Sequence, residues 1–311
     1  MEGTDWQVVK KKKAAKKMVR SNETCVLKVE MCPVLQLSDS VQEQHNLIQR
    51  IYSTMENVKQ SEFWCSCQEC FSACLHKLAL PPDGDDSGIH EMESSNNAEG
   101  KQKGLLRPDC VCYGLGNFSS CVISRHQLAF LLLFLDQLKI PTDQTCVFDP
   151  VFTALEKSVL QNLGLTVIFE NEEGKRTVCK PTVFYMPHCG KALYNNLLWS
   201  NWTQEALSNI VLIGNSFKGI EERLFSRILL KHYTYINKCL PVVEEASLPE
   251  SHQYNDVFND TSIHIFPVHK LRTLPTEVWQ LPEAPQYQDC EDLEIIENSK
   301  ANNNSLDIRN I

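Results

Sequence analysis

Two glycines two apart, an acid that closes an apolar run, and a His-Cys pair ahead of a glycine are the residues of this chain best suited to chemistry. Tyr113-Gly114-Leu115-Gly116-Asn117 has the form of a glycine-rich nucleotide turn. Gly114 and Gly116 permit a tight turn and a close backbone approach, and Ser119 stands where a third glycine often lies. The helix that follows offers Ser119 or Ser120 as cap and no carboxylate in its first turn, leaving its amides open to an anion. Asp149 ends the second apolar run, where such sites set an acid on a ribose hydroxyl, although its separation from the glycines exceeds the usual spacing of about twenty residues. These residues suggest a nucleotide or S-adenosylmethionine. The plainer alternative is a strand-to-helix turn, with Asp149 capping the next helix.

His188-Cys189 suggests a base beside a nucleophile, but adjacent side chains rarely hydrogen-bond each other and no third, orienting group follows from the sequence. The alternatives are a His188 that bonds backbone at a buried turn while Cys189 packs, or a His188 that touches a ligand. Asn215 and Ser216 end another apolar run and join the candidate ligand contacts. Glu221 and Glu222 already fill the first turn of the helix expected there, which makes that helix end a poor phosphate site.

The cysteines raise metals. Cys65, Cys67, Cys70 and Cys74 lie close together, yet they lack the paired Cys-x-x-Cys knuckles of a structural zinc site. On a helix, Cys67, Cys70 and Cys74 share a face near Phe63, Phe71 and Leu78, so a buried helix face is expected and no metal. Cys32-Pro33 has the form of a haem thiolate ligand, but so short a pattern arises readily by chance. The residues require no cofactor, and S-adenosylmethionine and haem are the two they raise.

The elements that must position these residues alternate in type. Strands are expected at Cys110–Tyr113, Cys146–Phe148, Thr166–Phe169, Val183–Met186, Ile210–Ile213 and Ser262–Phe266. Helices are expected at Ser124–Leu138, Thr153–Leu163, Lys191–Leu198 and Ile220–His232. Short continuous apolar strands suit a parallel sheet covered by helices on both faces. The expected architecture is therefore a doubly wound, Rossmann-like α/β sheet, mainly parallel, whose ligands bind outside the carboxyl ends of the strands. Residues 108–281 form this domain. Ahead of it, Val41, Leu47, Ile48, Ile51, Met55 and Val58 fall at helical spacing, predicting a helical segment over 38–80, broken near Ser61. Residues 1–37, a polar linker at 81–107 and an acidic tail at 282–311 are expected to be disordered.

The 311 residues are 42% hydrophobic and 22% charged, enough for a sizeable core. The longest apolar run, Leu128–Leu135, falls far short of the roughly 18 residues of a membrane span. A charged start without an apolar signal core points to a soluble intracellular protein, in which the 14 cysteines stay reduced. The net charge of −9 speaks against direct nucleic-acid binding by the whole chain. Lys10–Lys13 with Lys16–Lys17 reads as a solvated tail or as a nuclear import signal.

Five ordered segments carry a resemblance: YGLGNFSSCVISRHQLAFLLLFL, VFDPVFTALEKSVLQNLG, FYMPHCGKALYNNLLWSNW, IVLIGNSF and FNDTSIHIF. Over about 110–267 the chain resembles the sensitivity-to-red-light-reduced family. The matching motif positions are Gly114, Gly116, Asn117, Asp149, Pro187, His188, Cys189, Gly214, Asn215, Ser216, Asn259, Asp260 and Thr261. The resemblance implies a regulator of circadian clock gene expression and haem biosynthesis, located in cytoplasm and nucleus and acting through protein partners. It supplies no family-wide catalytic set. The alternative is a cryptic nucleotide- or S-adenosylmethionine-binding, methyltransferase-like enzyme.

Overall fold

The computed structural model describes residues 33–79, 108–280 and 283–287, with side chains from Ser40 to Ser72 and through the two later stretches. The expected linker at 81–107 lies outside the described residues, as does the basic run at 10–17. Contacts divide the chain into residues 1–39, described only at 33–39 as helix, and residues 40–311.

The strands are β1 Asp109–Tyr113, β2 Thr145–Phe148, β3 Thr166–Val167, β4 Thr182–Met186, β5 Ile210–Asn215, β6 Glu244–Ser247 and β7 Thr261–Ile265. The helices are α1 Pro33–Lys59, α2 Glu62–Ala79, α3 Val122–Leu138, α4 Ala154–Asn162, α5 Lys191–Ser200, α6 Gln204–Ser208, α7 Phe217–Arg223, α8 Ser226–His232, α9 Thr234–Cys239, α10 Asn255–Phe258 and α11 Val268–Leu271. Among the described residues the chain is thus a mixed α/β protein with one mostly parallel sheet, in the order β3-β2-β1-β4-β5-β7-β6. From β1 the chain builds outward to β2 and β3, then returns to lay β4 on the other flank of β1.

Burial on both faces explains the continuous apolar strands. In β1, Cys110 and Cys112 enter one core while Val111 and Tyr113 enter the other, the period-two alternation of a pleated strand. Helix α3 is buried along all of Leu128–Leu135, because α2 covers the side that the sheet does not. Trp64 meets Phe130 edge-on at 5.4 Å and Phe71 meets Phe134 at 4.9 Å. The break before α2 falls at Ser61, as its sequence suggests: its hydroxyl accepts the Trp64 amide at 3.2 Å and so caps the new helix.

Four features differ from the sequence reading. Strand β3 stops at Val167, leaving Phe169 76% exposed, because this strand lies at the sheet edge with a neighbour on one side alone. The helix expected over Ile220–His232 is two, α7 and α8, separated by an extended Leu224 and Phe225. Strand β6 reads as polar (Glu-Glu-Ala-Ser) and escapes an apolar pattern. Strand β7 runs antiparallel to both β5 and β6, so its start, not its end, lies beside the carboxyl ends of β4 and β5. Packed structure also reaches past residue 282: the Tyr287 hydroxyl accepts from Asn195 Nδ2 at 3.1 Å and donates to Asn196 Oδ1 at 2.8 Å on α5.

Candidate functional site

The glycine turn leaves β1 with Gly114 at φ +71° and Gly116 at φ +74°, the left-handed region that the Gly-x-Gly pattern anticipates. What approaches the two glycines is the protein itself. A Cβ on Gly116 would lie 2.6 Å from Ser124 Oγ, and one on Gly114 would collide with Cys189 Sγ. The turn's donors are also engaged. The Gly116 amide donates to Asp149 Oδ2 at 2.7 Å and the Ser119 amide to Glu156 Oε1 at 2.8 Å. Asn117 Oδ1 accepts from the Ser119 and Ser120 hydroxyls at 2.9 and 2.7 Å and organises the approach to α3.

Asp149 is buried, and its other oxygen accepts the Val151 amide at 3.0 Å. The carboxylate therefore joins the β1 and β2 loops. Glu156 does the same from α4. It closes a capping box with Thr153 while fully buried, and passes its remaining oxygen to Ser119. Glu156 was not among the candidates drawn from the sequence. Its signal was the Thr153-Ala154-Leu155-Glu156 spacing of a capping box.

His188 and Asn215 come together. His188 is exposed and adopts φ +54°, uncommon for a residue with a Cβ. Asn215, at the end of β5, holds that loop from both sides. Its Oδ1 accepts the His188 amide at 2.9 Å, and its Nδ2 donates to the Cys189 carbonyl at 3.1 Å. Cys189 points the other way and donates to the Tyr113 carbonyl at 3.3 Å. Burial first, and then the charge of Asp149, push its thiol well above the usual range, so it is no thiolate nucleophile at neutral pH.

Ser216 caps α7 by accepting the Gly219 amide at 2.8 Å, and its hydroxyl donates to Glu245. Burial alone would raise the Glu245 carboxyl, but hydrogen bonds from His264 and Ser216, the His264 charge and the Lys218 amide outweigh it and hold the group at about 2. Fully buried His264 also bonds the Leu212 carbonyl through Nδ1 at 3.2 Å.

The open space at this end of the sheet is a cleft of about 860 Å³. His188 lines it from the loop after β4, Lys191 and Asn215 from α5 and β5, and Arg223 from α7. Asp256, Asn259 and Asp260 line it from the segment that leads into β7. Asp260 is left-handed at φ +56°, is ion-paired with Arg223, and accepts the Ser216 amide at 2.8 Å through its carbonyl. Ile123, Ile220 and Leu224 supply an apolar wall. Of the sequence candidates, His188 and Asn215 line this cleft, whereas Gly116, Asn117 and Asp149 are bonded within the loops after β1 and β2, Gly114 packs on Cys189, and Ser216 caps α7.

Among the three described members of the cysteine cluster, Cys67 is buried, Cys70 partly so and Cys65 exposed. The side chain of Cys74 lies outside the described residues, as does Cys32.

A model of the SRR1 domain matches residues 89–265. The mouse SRR1-like protein is 48% identical over 198 residues, 62% of this chain and 80% of that protein. The Arabidopsis thaliana protein SENSITIVITY TO RED LIGHT REDUCED 1 is 33% identical over 227 residues, 72% of this chain and 76% of the relative. A Drosophila melanogaster SRR1-like protein is 32% identical over 217 residues, covering 68% of this chain and 75% of its own. The match spans every strand of the sheet and both sides of the cleft, and the chain belongs to the SRR1 domain family.

Proposed function

We propose that this chain is a regulatory protein of the SRR1 family that acts through protein partners in nucleus and cytoplasm, on circadian clock gene expression and on haem biosynthesis. Family membership supports the regulatory role, and the Arabidopsis relative carries the name SENSITIVITY TO RED LIGHT REDUCED 1. The observation that carries a non-enzymatic reading is the closure of the glycine turn, whose Gly116 and Ser119 amides are spent on Asp149 and Glu156. Depletion of the protein from cultured animal cells should damp the rhythm of clock transcripts and shift those of haem-synthesis enzymes. Re-expression of the wild-type chain should restore both, and unchanged rhythms and haem transcripts would refute the reading. Replacing Lys10–Lys13 and Lys16–Lys17 by Ala should slow nuclear entry, and an unaltered import rate would remove the import signal from the proposal.

The second reading is a methyltransferase-like enzyme on a doubly wound, Rossmann-like sheet. The β3-β2-β1-β4-β5 order favours it, because strand order reverses between β1 and β4 and ligands of such sheets bind beside that reversal. A ligand at 100 times its dissociation constant adds roughly 2.7 kcal/mol of stability, so S-adenosylmethionine should raise the melting temperature if this reading holds. No rise at millimolar concentration would end it.

A further inference from the structure

We propose that the cleft between the ends of β4 and β5 and the start of β7 binds a nucleoside phosphate, with Lys191, His188 and Arg223 facing its phosphate and Asp256 and Asp260 its ribose. The glycine turn that the sequence offers for this purpose is filled by Cys189 and Ser124 and bonded to Asp149, and the open volume lies beside it, one strand further along the sheet. At about 860 Å³ the cleft is within the size range of small-molecule sites.

Its lining selects the class. A purely anionic ligand would face the carboxylates of Asp256 and Asp260, and a purely apolar one would strip water from charged groups without replacing it. A nucleoside phosphate meets all three parts of the wall. Its phosphate suits Lys191, Arg223 and the exposed His188, and its diol can donate to a carboxylate. Its base can lie on Ile123, Ile220 and Leu224. The lining is also braced before any ligand arrives. Asn215 fixes the His188 loop and Asp260 fixes Arg223, which reduces the ordering cost of binding. Gly219 belongs to that bracing, since a Cβ there would lie 2.6 Å from Asp260 Oδ1 and 2.9 Å from a guanidinium nitrogen of Arg223.

Titration calorimetry on the purified full-length chain tests this with ADP, adenosine, inorganic pyrophosphate and S-adenosylmethionine. ADP should bind, with adenosine and pyrophosphate each weaker by tenfold or more. Lys191→Ala and His188→Asn should weaken ADP about ten- to a hundredfold while leaving adenosine little changed; asparagine tolerates the left-handed backbone at 188. Asp256→Asn should weaken ADP and adenosine alike. His188→Asn and Asp256→Asn should melt as the wild type does. The proposal is overturned if ADP gives no heat at millimolar concentration, if adenosine matches ADP, if the variants bind unchanged, or if S-adenosylmethionine binds more tightly than ADP. The regulatory reading is tested in cells, so its failure and the failure of this site are separate results.

Discussion

The amide of Gly116 and the carboxylate of Asp149 are hydrogen-bonded to each other at 2.7 Å, joining the loop after the first strand to the loop after the second. An acid that sequence position would assign to a ligand is thus a brace. Asp149→Asn keeps the shape but has one oxygen where the carboxylate has two, so one of the Gly116 and Val151 amides faces an NH2 donor in place of an acceptor. It should cost about 1–3 kcal/mol in urea denaturation, by the same amount with and without ADP. A fully stable variant that has lost a ligand would instead return Asp149 to a binding role.

Gly116→Val should be destabilising rather than merely blocking. It would place a β-branched residue at φ +74°, against Ser124. Gly114→Ala separates the two costs. Alone it pays for the left-handed backbone and for the collision with Cys189; combined with Cys189→Ala it should recover the second part. The residual loss should be about 1–2 kcal/mol, the backbone part. Additive losses in the double-mutant cycle would show that the two residues do not touch.

Stability in acid should depend on Glu245. Its folded carboxyl titrates near 2 against an ordinary 4.5, so its contribution is complete above about 4.5 and is lost as the pH falls toward 2. Glu245→Gln should remove that portion of the pH dependence and flatten the stability profile in this window. An identical slope in the variant would show that other carboxyls carry it.

Cys67→Ser should cost about 1–3 kcal/mol by placing a hydroxyl in the apolar core beside Phe63 and Phe71. Burial first, then neighbouring Cys70, push the Cys67 thiol far up and keep it protonated. The purified chain should carry no stoichiometric zinc, and one zinc per chain lost on this substitution would contradict a packing role.

The sequence made the central strands legible because burial on both faces writes itself as unbroken apolar runs, as in Val183–Met186 and Ile210–Ile213. The ends of those strands were legible for the same reason, and with them His188 and Asn215. The polar edge strand was not, since Glu245 turns inward onto Ser216 and His264, a burial that rests on partners far off in the chain. The occupancy of the glycine turn was equally hidden. Gly-x-Gly specifies a backbone shape, and whether a phosphate or Cys189 fills the space beside it depends on a loop some seventy residues later.

The placement of β7 between β5 and β6 sets an order of events during synthesis. Strand β6 is made before β7, yet β7 is its sole neighbour in the sheet, so Glu244–Ser247 has nothing to pair with until Thr261–Ile265 emerges and inserts. At about 5–20 residues per second that interval is brief, but in a chain stopped ahead of Thr261 it becomes permanent. Such a chain would expose the whole flank of β5, Ile210–Asn215, as an unpaired apolar edge and would be prone to self-association. The last strand among the described residues acts as the closing stitch of the sheet, and a premature stop before it should be read as a loss of solubility before it is read as a loss of function.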